Sequence, residues 1–121
     1  MVLVIIASVP LHTASAEVFT VTTSADGTAA GTLRWALTQS NQTQGLDTVA
    51  FAVPGTGPHT IQPTSPLPTL TDPVLIDGCS QPGASPATEA APAIMMIELD
   101  GSQAGPGASG LQISGGATTV R

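Results

Sequence analysis

The sequence is short of positive charge. It has no lysine, and its two arginines, Arg34 and Arg121, stand against eight acidic residues, which gives a net charge of −6 over 121 residues. Nucleic acids and anionic membrane surfaces are bound through clustered cationic side chains. The composition therefore argues against both as partners.

Cysteine is almost absent as well. Cys79 is the single cysteine, so no intrachain disulfide can stabilise the fold. Its thiol is either a small buried hydrophobic group beside a turn or a nucleophile, and a nucleophile needs a base nearby. The histidines are His12 and His59, and their spacing from Cys79 does not favour such a pair. We expect His59, which follows Pro58, to lie in a surface loop.

Glycine and proline are abundant, with 13 and 11 residues. Such a composition can indicate disorder, but hydrophobic residues make up 41% of this chain and its Val, Ile and Leu residues occur in alternating runs. A disordered chain lacks that apolar content. The sequence therefore predicts a turn-rich, all-β protein.

Residues 1–16 have the pattern of a signal peptide. An apolar run covers residues 2–7, and Ala14-Ser15-Ala16 fits the small-x-small cleavage pattern. The run is too short to span a bilayer. No cation precedes it, which leaves a buried N-terminal strand as the alternative. We expect a mature chain that begins at Glu17 and a secreted or cell-surface protein.

Short apolar alternations closed by turns recur along the chain. Residues 74–78 (VLIDG) return as residues 97–101 (IELDG), a shift of 23 residues, which is the size of one coil of a β-solenoid. Further strands are expected at residues 17–23, 48–53, 60–62, 110–113 and 118–121. The last strand has no terminator, so we expect the protein to continue beyond residue 121.

The repeat places Asp77 and Asp100 at equivalent positions. If the two copies stack in register, the two carboxylates lie about 5 Å apart, the spacing of neighbouring strands. Such a pair could bind Ca²⁺ or act as a general acid and base. The alternative is that each Asp-Gly pair only forms a turn.

One segment, residues 32–41, has a helical pattern. Thr32 is a suitable N-cap, and the residues that follow repeat at the spacing of one helical face. That face consists of Leu33, Ala36, Leu37 and Ser40. A helix this short is not stable alone, so we expect it to cover an apolar surface.

Two side chains of this helix are candidates for binding. Arg34 could hold an acidic sugar, or it could pair with Asp47 or a strand-end carbonyl and fix the helix in place. Trp35 could stack on a sugar ring or pack into the core.

Four motifs in order resemble the N-terminal CSLREA segment of secreted bacterial right-handed parallel β-helix proteins. They are Gly31-Thr32-Leu33-Arg34-Trp35-Ala36-Leu37, Gly45-Leu46-Asp47-Thr48-Val49-Ala50-Phe51, Leu67-Pro68-Thr69-Leu70 with Pro73-Val74-Leu75-Ile76-Asp77-Gly78, and Gly110-Leu111-Gln112-Ile113. The resemblance covers residues 18–121. The chain departs from the family where Gly31-Thr32 replaces its Cys-Ser and Trp35 replaces its Glu.

The resemblance implies an all-β fold of the pectin-lyase-like class, a right-handed parallel β-helix. Residues 17–48 would form an N-terminal cap with one short helix, and residues 49–121 the first coils of an incomplete solenoid. The structural residues of the cap would be Leu33, Arg34, Trp35, Ala36 and Leu37. Its partners would be downstream coils of the same chain.

The function implied is that of a structural cap in a secreted or cell-surface protein that binds carbohydrate or a cell surface. The alternative is the N-terminal part of a polysaccharide lyase or glycoside hydrolase with its catalytic residues beyond residue 121. Residues 1–121 show no catalytic constellation and predict no cofactor, with Ca²⁺ at Asp77 and Asp100 as the one candidate.

Overall fold

The computed structural model describes residues 15–121, so the predicted signal peptide lies almost entirely outside the described residues. Six short strands and one helix follow in the order β1, α1, β2, β3, β4, β5, β6. Their bounds are β1 Val18–Val21, α1 Leu33–Gln42, β2 Asp47–Phe51, β3 His59–Ile61, β4 Val74–Asp77, β5 Ile97–Leu99 and β6 Thr119–Val120. Single 3₁₀ turns, Gly78–Ser80 and Gly101–Gln103, follow β4 and β5.

The strands form two sheets in which all pairs are parallel. The first sheet has the order β1-β2-β4-β6, and the second consists of β3 and β5. An isolated parallel bridge joins Leu70 to Ile113 in the loops outside the strands. Because paired strands run in the same direction, the chain between them must return to the end of the sheet at which the first strand began.

Helix α1 begins and ends near the predicted positions, which confirms the helical interpretation. The Thr32 hydroxyl caps it by accepting a hydrogen bond from the Trp35 N–H at 3.2 Å. The four residues of the predicted apolar face, Leu33, Ala36, Leu37 and Ser40, are the buried ones. The helix packs against β1 and β2. No helix within residues 15–121 is long and apolar enough to cross a membrane.

The core is aliphatic and lies between the helix and the two sheets. Strand β2 shows the alternation of a strand with one buried face, because Asp47, Val49 and Phe51 are buried while Thr48 and Ala50 are half-buried. The fully buried aliphatic side chains, with 0–1% exposure, are Val21, Leu37, Val49, Ile61, Leu70 and Val74.

The predicted fold class, an all-β right-handed parallel β-helix, is wrong. Residues 15–121 are mixed α/β, with one helix packed on the core and six short strands in two parallel sheets. Val74–Asp77 and Ile97–Leu99, the strands of the 23-residue repeat, lie in different sheets, so this repeat does not describe stacked coils. In the first sheet, Val18 pairs with Thr48, Asp47 with Val74 and Leu75 with Thr119, separations of 30, 27 and 44 residues. The pairing follows no constant period.

Candidate functional site

The two aspartates of the repeat do not come together. Asp77 ends β4 in the first sheet, where it pairs in register with Ala50. Asp100 follows β5 in the second sheet, and its N–H donates to the Ile61 carbonyl at 2.9 Å. The predicted stacking of the two carboxylates is therefore wrong.

Each of these aspartates instead caps a 3₁₀ turn. Asp77 Oδ1 accepts a hydrogen bond from the Cys79 N–H at 3.1 Å, and Asp100 Oδ1 accepts one from the Ser102 N–H at 2.9 Å. The alternative interpretation, a simple Asp-Gly turn, is confirmed at both positions. Within residues 15–121, no three His, Cys, Asp or Glu side chains group in a way that could hold a metal ion.

Arg34 holds three chain segments together from the start of α1. Its Nε and Nη2 donate to the two carboxylate oxygens of Asp26, each at 3.0 Å. Its remaining donors reach the carbonyls of Ser65 and Pro66 at 2.9 and 2.7 Å. Both expected partners of Arg34, Asp47 and a strand-end carbonyl, are wrong, because the carbonyls that it reaches lie in the loop after β3. The Asp47 carboxylate is buried and accepts from the Glu17 N–H at 3.0 Å.

The Asp26 carboxylate is as well bonded as the guanidinium. Besides Arg34, its Oδ2 accepts from the Thr64 N–H at 2.9 Å and the Thr64 hydroxyl at 3.1 Å. The hydrogen bond from Arg34 is the largest influence on this carboxyl and holds its pKa well below the ordinary value. Burial raises the pKa, but by less than Arg34 lowers it, and the bonds from Thr64 lower it further. The pair is thus ionised, and four of the five guanidinium N–H groups of Arg34 are bonded within the fold, which leaves one Nη1 hydrogen rather than a fork for an acidic sugar.

Trp35 is also engaged within the fold. Its ring meets Phe19 of β1 edge to face, with ring centroids 5.9 Å apart and planes at 89°. Both rings are half-buried against the core. The five predicted cap residues therefore lie together where α1 covers the first sheet: Leu33, Ala36 and Leu37 point inward, while Arg34 and Trp35 secure the sides.

Cys79 and His59 lie in separate parts of the fold. Cys79 is in the 3₁₀ turn after β4, half-buried and with a free thiol. His59 begins β3 in the other sheet and is half-buried, with its Nε2 enclosed. The expectation that His59 is a surface loop residue is wrong, because strand pairing with β5 draws its ring inward.

A cavity of about 140 Å³ lies between the two sheets at the end away from β1. Its floor is formed by Leu33 and Phe51. Its walls are formed by Ile76 and Val120 from the first sheet, Ile97 and Leu99 from the second, and Leu111 from the loop before β6. The lining is almost wholly apolar, the cavity is open to solvent, and one of its lining residues, Val120, is 53% exposed.

The strand edges on either side of this opening have no partner within residues 15–121. In β6, Arg121 N–H donates to Ile76 and Arg121 C=O accepts from Gly78, so residue 121 faces β4 and the Val120 backbone faces outward. In β5, residues 96 and 100 bond to β3, so Ile97 and Leu99 have their N–H and C=O groups toward the outer edge. We call this region, with its two edges and the cavity between them, the open end.

The sequence did not identify the polar side chains that organise the fold. In the sequence, Asp26 precedes Gly27, Asn41 stands at the end of the predicted helix and Gln81 closely follows Asp77-Gly78, so each has the pattern of a local turn or cap residue. In the structure Asn41 bonds to the backbone of Thr69 and Thr71, and Gln81 is 2% exposed. A polar residue next to a turn gives no signal for a partner some 30 residues away.

No family model, curated protein or solved structure matches this chain.

Proposed function

We propose that this chain is a binding module that receives an extended polypeptide strand at its open end. The observation that supports the proposal is the cavity, because its apolar walls belong to strands β5 and β6, whose outer edges are unpaired within residues 15–121. An unpaired edge beside an apolar groove is the arrangement used in β-strand addition. Backbone hydrogen bonds supply affinity there, and alternate side chains supply specificity.

The chemistry of the open end specifies the occupant. Side chains of Ile97, Leu99 and Val120 line the cavity, so a strand added beside them must also present apolar residues at every second position. All strand pairs in both sheets are parallel, and we propose the same direction for the added strand. Helix α1 covers the opposite end, so strand addition is directed to one side of the molecule.

A peptide copying residues 71–78 is the natural probe, because β4 within it already pairs with β6 in parallel. We expect this peptide to shift the amide resonances of Val120, Ile97 and Leu99 in a heteronuclear NMR titration and to slow exchange of the Val120 N–H. The matched control is the same peptide with Ser at positions 74 and 76, whose side chains are buried in the folded protein.

Val120→Pro tests the edge itself. Proline removes the outward N–H while the Arg121 N–H to Ile76 is kept, so the variant should fold and lose the peptide. Val120→Thr keeps both the N–H and the β-branched shape and should bind as the wild type does. Equal binding of the serine-substituted peptide, or binding to Val120→Pro, would contradict strand addition.

For the protein as a whole, we propose extracellular binding or adhesion toward carbohydrate or a cell surface. The proposal is supported by the acidic, cation-poor composition, by the apolar run at residues 2–7 and by the resemblance described above. Secretion is tested by assaying culture medium and cell fractions for the tagged protein. Ligand class is tested on an array of acidic and neutral glycans, with binding to neither class as the contradicting result.

A further inference from the structure

His59 has an unusual environment at the start of β3. Its Nε2 is buried and has no hydrogen-bond partner within residues 15–121. Buried side-chain nitrogens are normally bonded, and leaving one without a partner costs about 1–3 kcal/mol. The imidazole nitrogen is therefore a ligand atom or a donor directed at something other than the described residues.

The neighbour of this imidazole is the Met96 side chain. The two residues are tied together by the backbone, because the His59 N–H donates to the Met96 carbonyl at 2.8 Å. Both side chains also pack over Gly57: a Cβ at that position would lie 2.7 Å from Met96 Cε and 3.4 Å from His59 Nε2. The absence of a side chain at Gly57 thus makes room for an imidazole and a thioether on the same side of the loop.

The thioether can face the imidazole without movement of the main chain. The atom nearest Gly57 is the methyl Cε, and rotation about the Cβ–Cγ and Cγ–Sδ bonds is needed to turn Sδ toward the imidazole. Met96 is half-buried, and beyond Gly57 its end contacts Gly83, which also lacks a side chain. The missing side chains of Gly57 and Gly83 thus leave space beside the end of Met96.

We propose that His59 Nε2 and Met96 Sδ bind one Cu(I) ion. Thioether sulfur is a soft ligand that selects Cu(I), and imidazole binds copper well. Hard cations such as Ca²⁺ and Mg²⁺ take oxygen ligands instead. Binding of Cu(I) joins the metal to two neutral groups and requires no proton transfer or redox step.

Silver(I) is the probe, because it has the same preference for soft ligands and is not oxidised in air. The experiment uses the full chain with the Cys79→Ser substitution, since the free thiol would also bind silver. Methyl-labelled methionine gives one NMR signal for each of Met1, Met95 and Met96. We expect the Met96 methyl signal to move first and to saturate at one equivalent of silver, together with the His59 ring signals.

Three variants decide the assignment. His59→Gln and Met96→Leu should each weaken silver binding about tenfold or more. Substituting a residue that only supports a metal ligand typically costs about tenfold, and loss of a ligand itself should cost at least as much. Met95→Leu is the matched control, because Met95 is 66% exposed and adjacent in sequence, and it should leave the affinity unchanged. Met96→Leu conserves volume, so it remains informative if His59→Gln does not fold.

Three results would overturn the site. They are unchanged affinity in Met96→Leu, an equal loss in Met95→Leu, and saturation of the Met95 or Met1 methyl before that of Met96.

Discussion

At the scale of single residues, the ion pair between Arg34 and Asp26 is the most fully bonded polar contact of the fold. Both side chains are largely buried, with exposures of 14% and 8%. Burying two charges is costly unless their other donors and acceptors are also satisfied. Here the carbonyls of Ser65 and Pro66 and both donors of Thr64 satisfy all but one N–H of the guanidinium and add to the bonds of the carboxylate. The pair therefore fixes the loop after β3 against the start of the helix.

A substitution at Arg34 should be far more costly than the same substitution at Arg121. Arg121 makes the same bidentate contact with Asp77, but its side chain is 60% exposed. Arg34→Lys loses the forked geometry in a buried place and should lower the free energy of unfolding by about 2–3 kcal/mol. Arg121→Lys should change it far less, because solvent screens this exposed pair. Urea denaturation of both variants gives the comparison, and equal losses would contradict it.

Acid should weaken the fold through Asp26. The folded-state pKa of this carboxyl is lowered, first by Arg34, so its contribution is complete above the unfolded value near 3.9 and is lost as pH falls toward the folded value. Asp26→Asn removes this contribution. The difference in unfolding free energy between wild type and Asp26→Asn should be constant from pH 7 to about pH 5 and shrink below it.

Urea denaturation at pH 7, 5, 4 and 3 measures that difference directly. Asp100→Asn is a suitable comparison, because the pKa of that exposed carboxyl is also lowered, by the Gln62 side chain. Its effect should be smaller, since solvent screens it. A gap between wild type and Asp26→Asn that widens in acid would contradict the assignment.

At the scale of elements, side chains extend the pairing of β2 beyond the end of β4. Ala50 is the last residue of β2 that pairs with β4. The N–H of the next residue, Phe51, donates a hydrogen bond to Ser80 Oγ at 2.8 Å. The Gln81 side chain then bonds both the N–H and the C=O of Val53, each at 2.8 Å. The 3₁₀ turn after β4 thus places two side chains where a longer strand would place its backbone.

Gln81→Ala should be strongly destabilising because it leaves both backbone groups of buried Val53 without partners. We expect a loss of about 2–4 kcal/mol in the free energy of unfolding, measured by thermal or urea denaturation. Gln44→Ala is the matched control: Gln44 is exposed in the loop between α1 and β2, and its removal should cost less than about 0.5 kcal/mol. Similar losses in the two variants would show that the amide bonds contribute little.

Local elements could be predicted from this sequence, whereas their partners could not. The helix follows from the spacing of Leu33, Ala36 and Leu37, and the capped turns follow from Asp-Gly, because both depend on residues a few positions apart. Sheet membership depends on pairs 27 to 44 residues apart that follow no period. The similar strands Val74–Asp77 and Ile97–Leu99 therefore lie in different sheets. The contact between Arg34 and Asp26 spans only eight residues, but the sequence did not single it out, because Asp47 was an equally charged candidate for Arg34.

At the scale of the whole molecule, the two ends of the first sheet differ. Strand β1 lies under helix α1, and β2 has a strand on each side with Val49 fully buried. Strand β6 has two residues, both exposed, and one neighbour. Packing, and with it local stability, therefore decreases from the helix toward the open end.

This asymmetry predicts a gradient of amide hydrogen exchange. Exchange at Val49 should require global unfolding, because this fully buried residue lies in β2, which has a paired strand on each side. Arg121 N–H, bonded to Ile76, should exchange through a smaller local opening, and the outward Val120 N–H should exchange fastest. Native-state exchange in increasing urea separates the three classes by their denaturant dependence. If the Arg121 N–H exchanged only through the same global unfolding as the Val49 N–H, β6 would belong to the same cooperative unit as β2. A strand added at the open end would then meet a rigid edge rather than one that it must order.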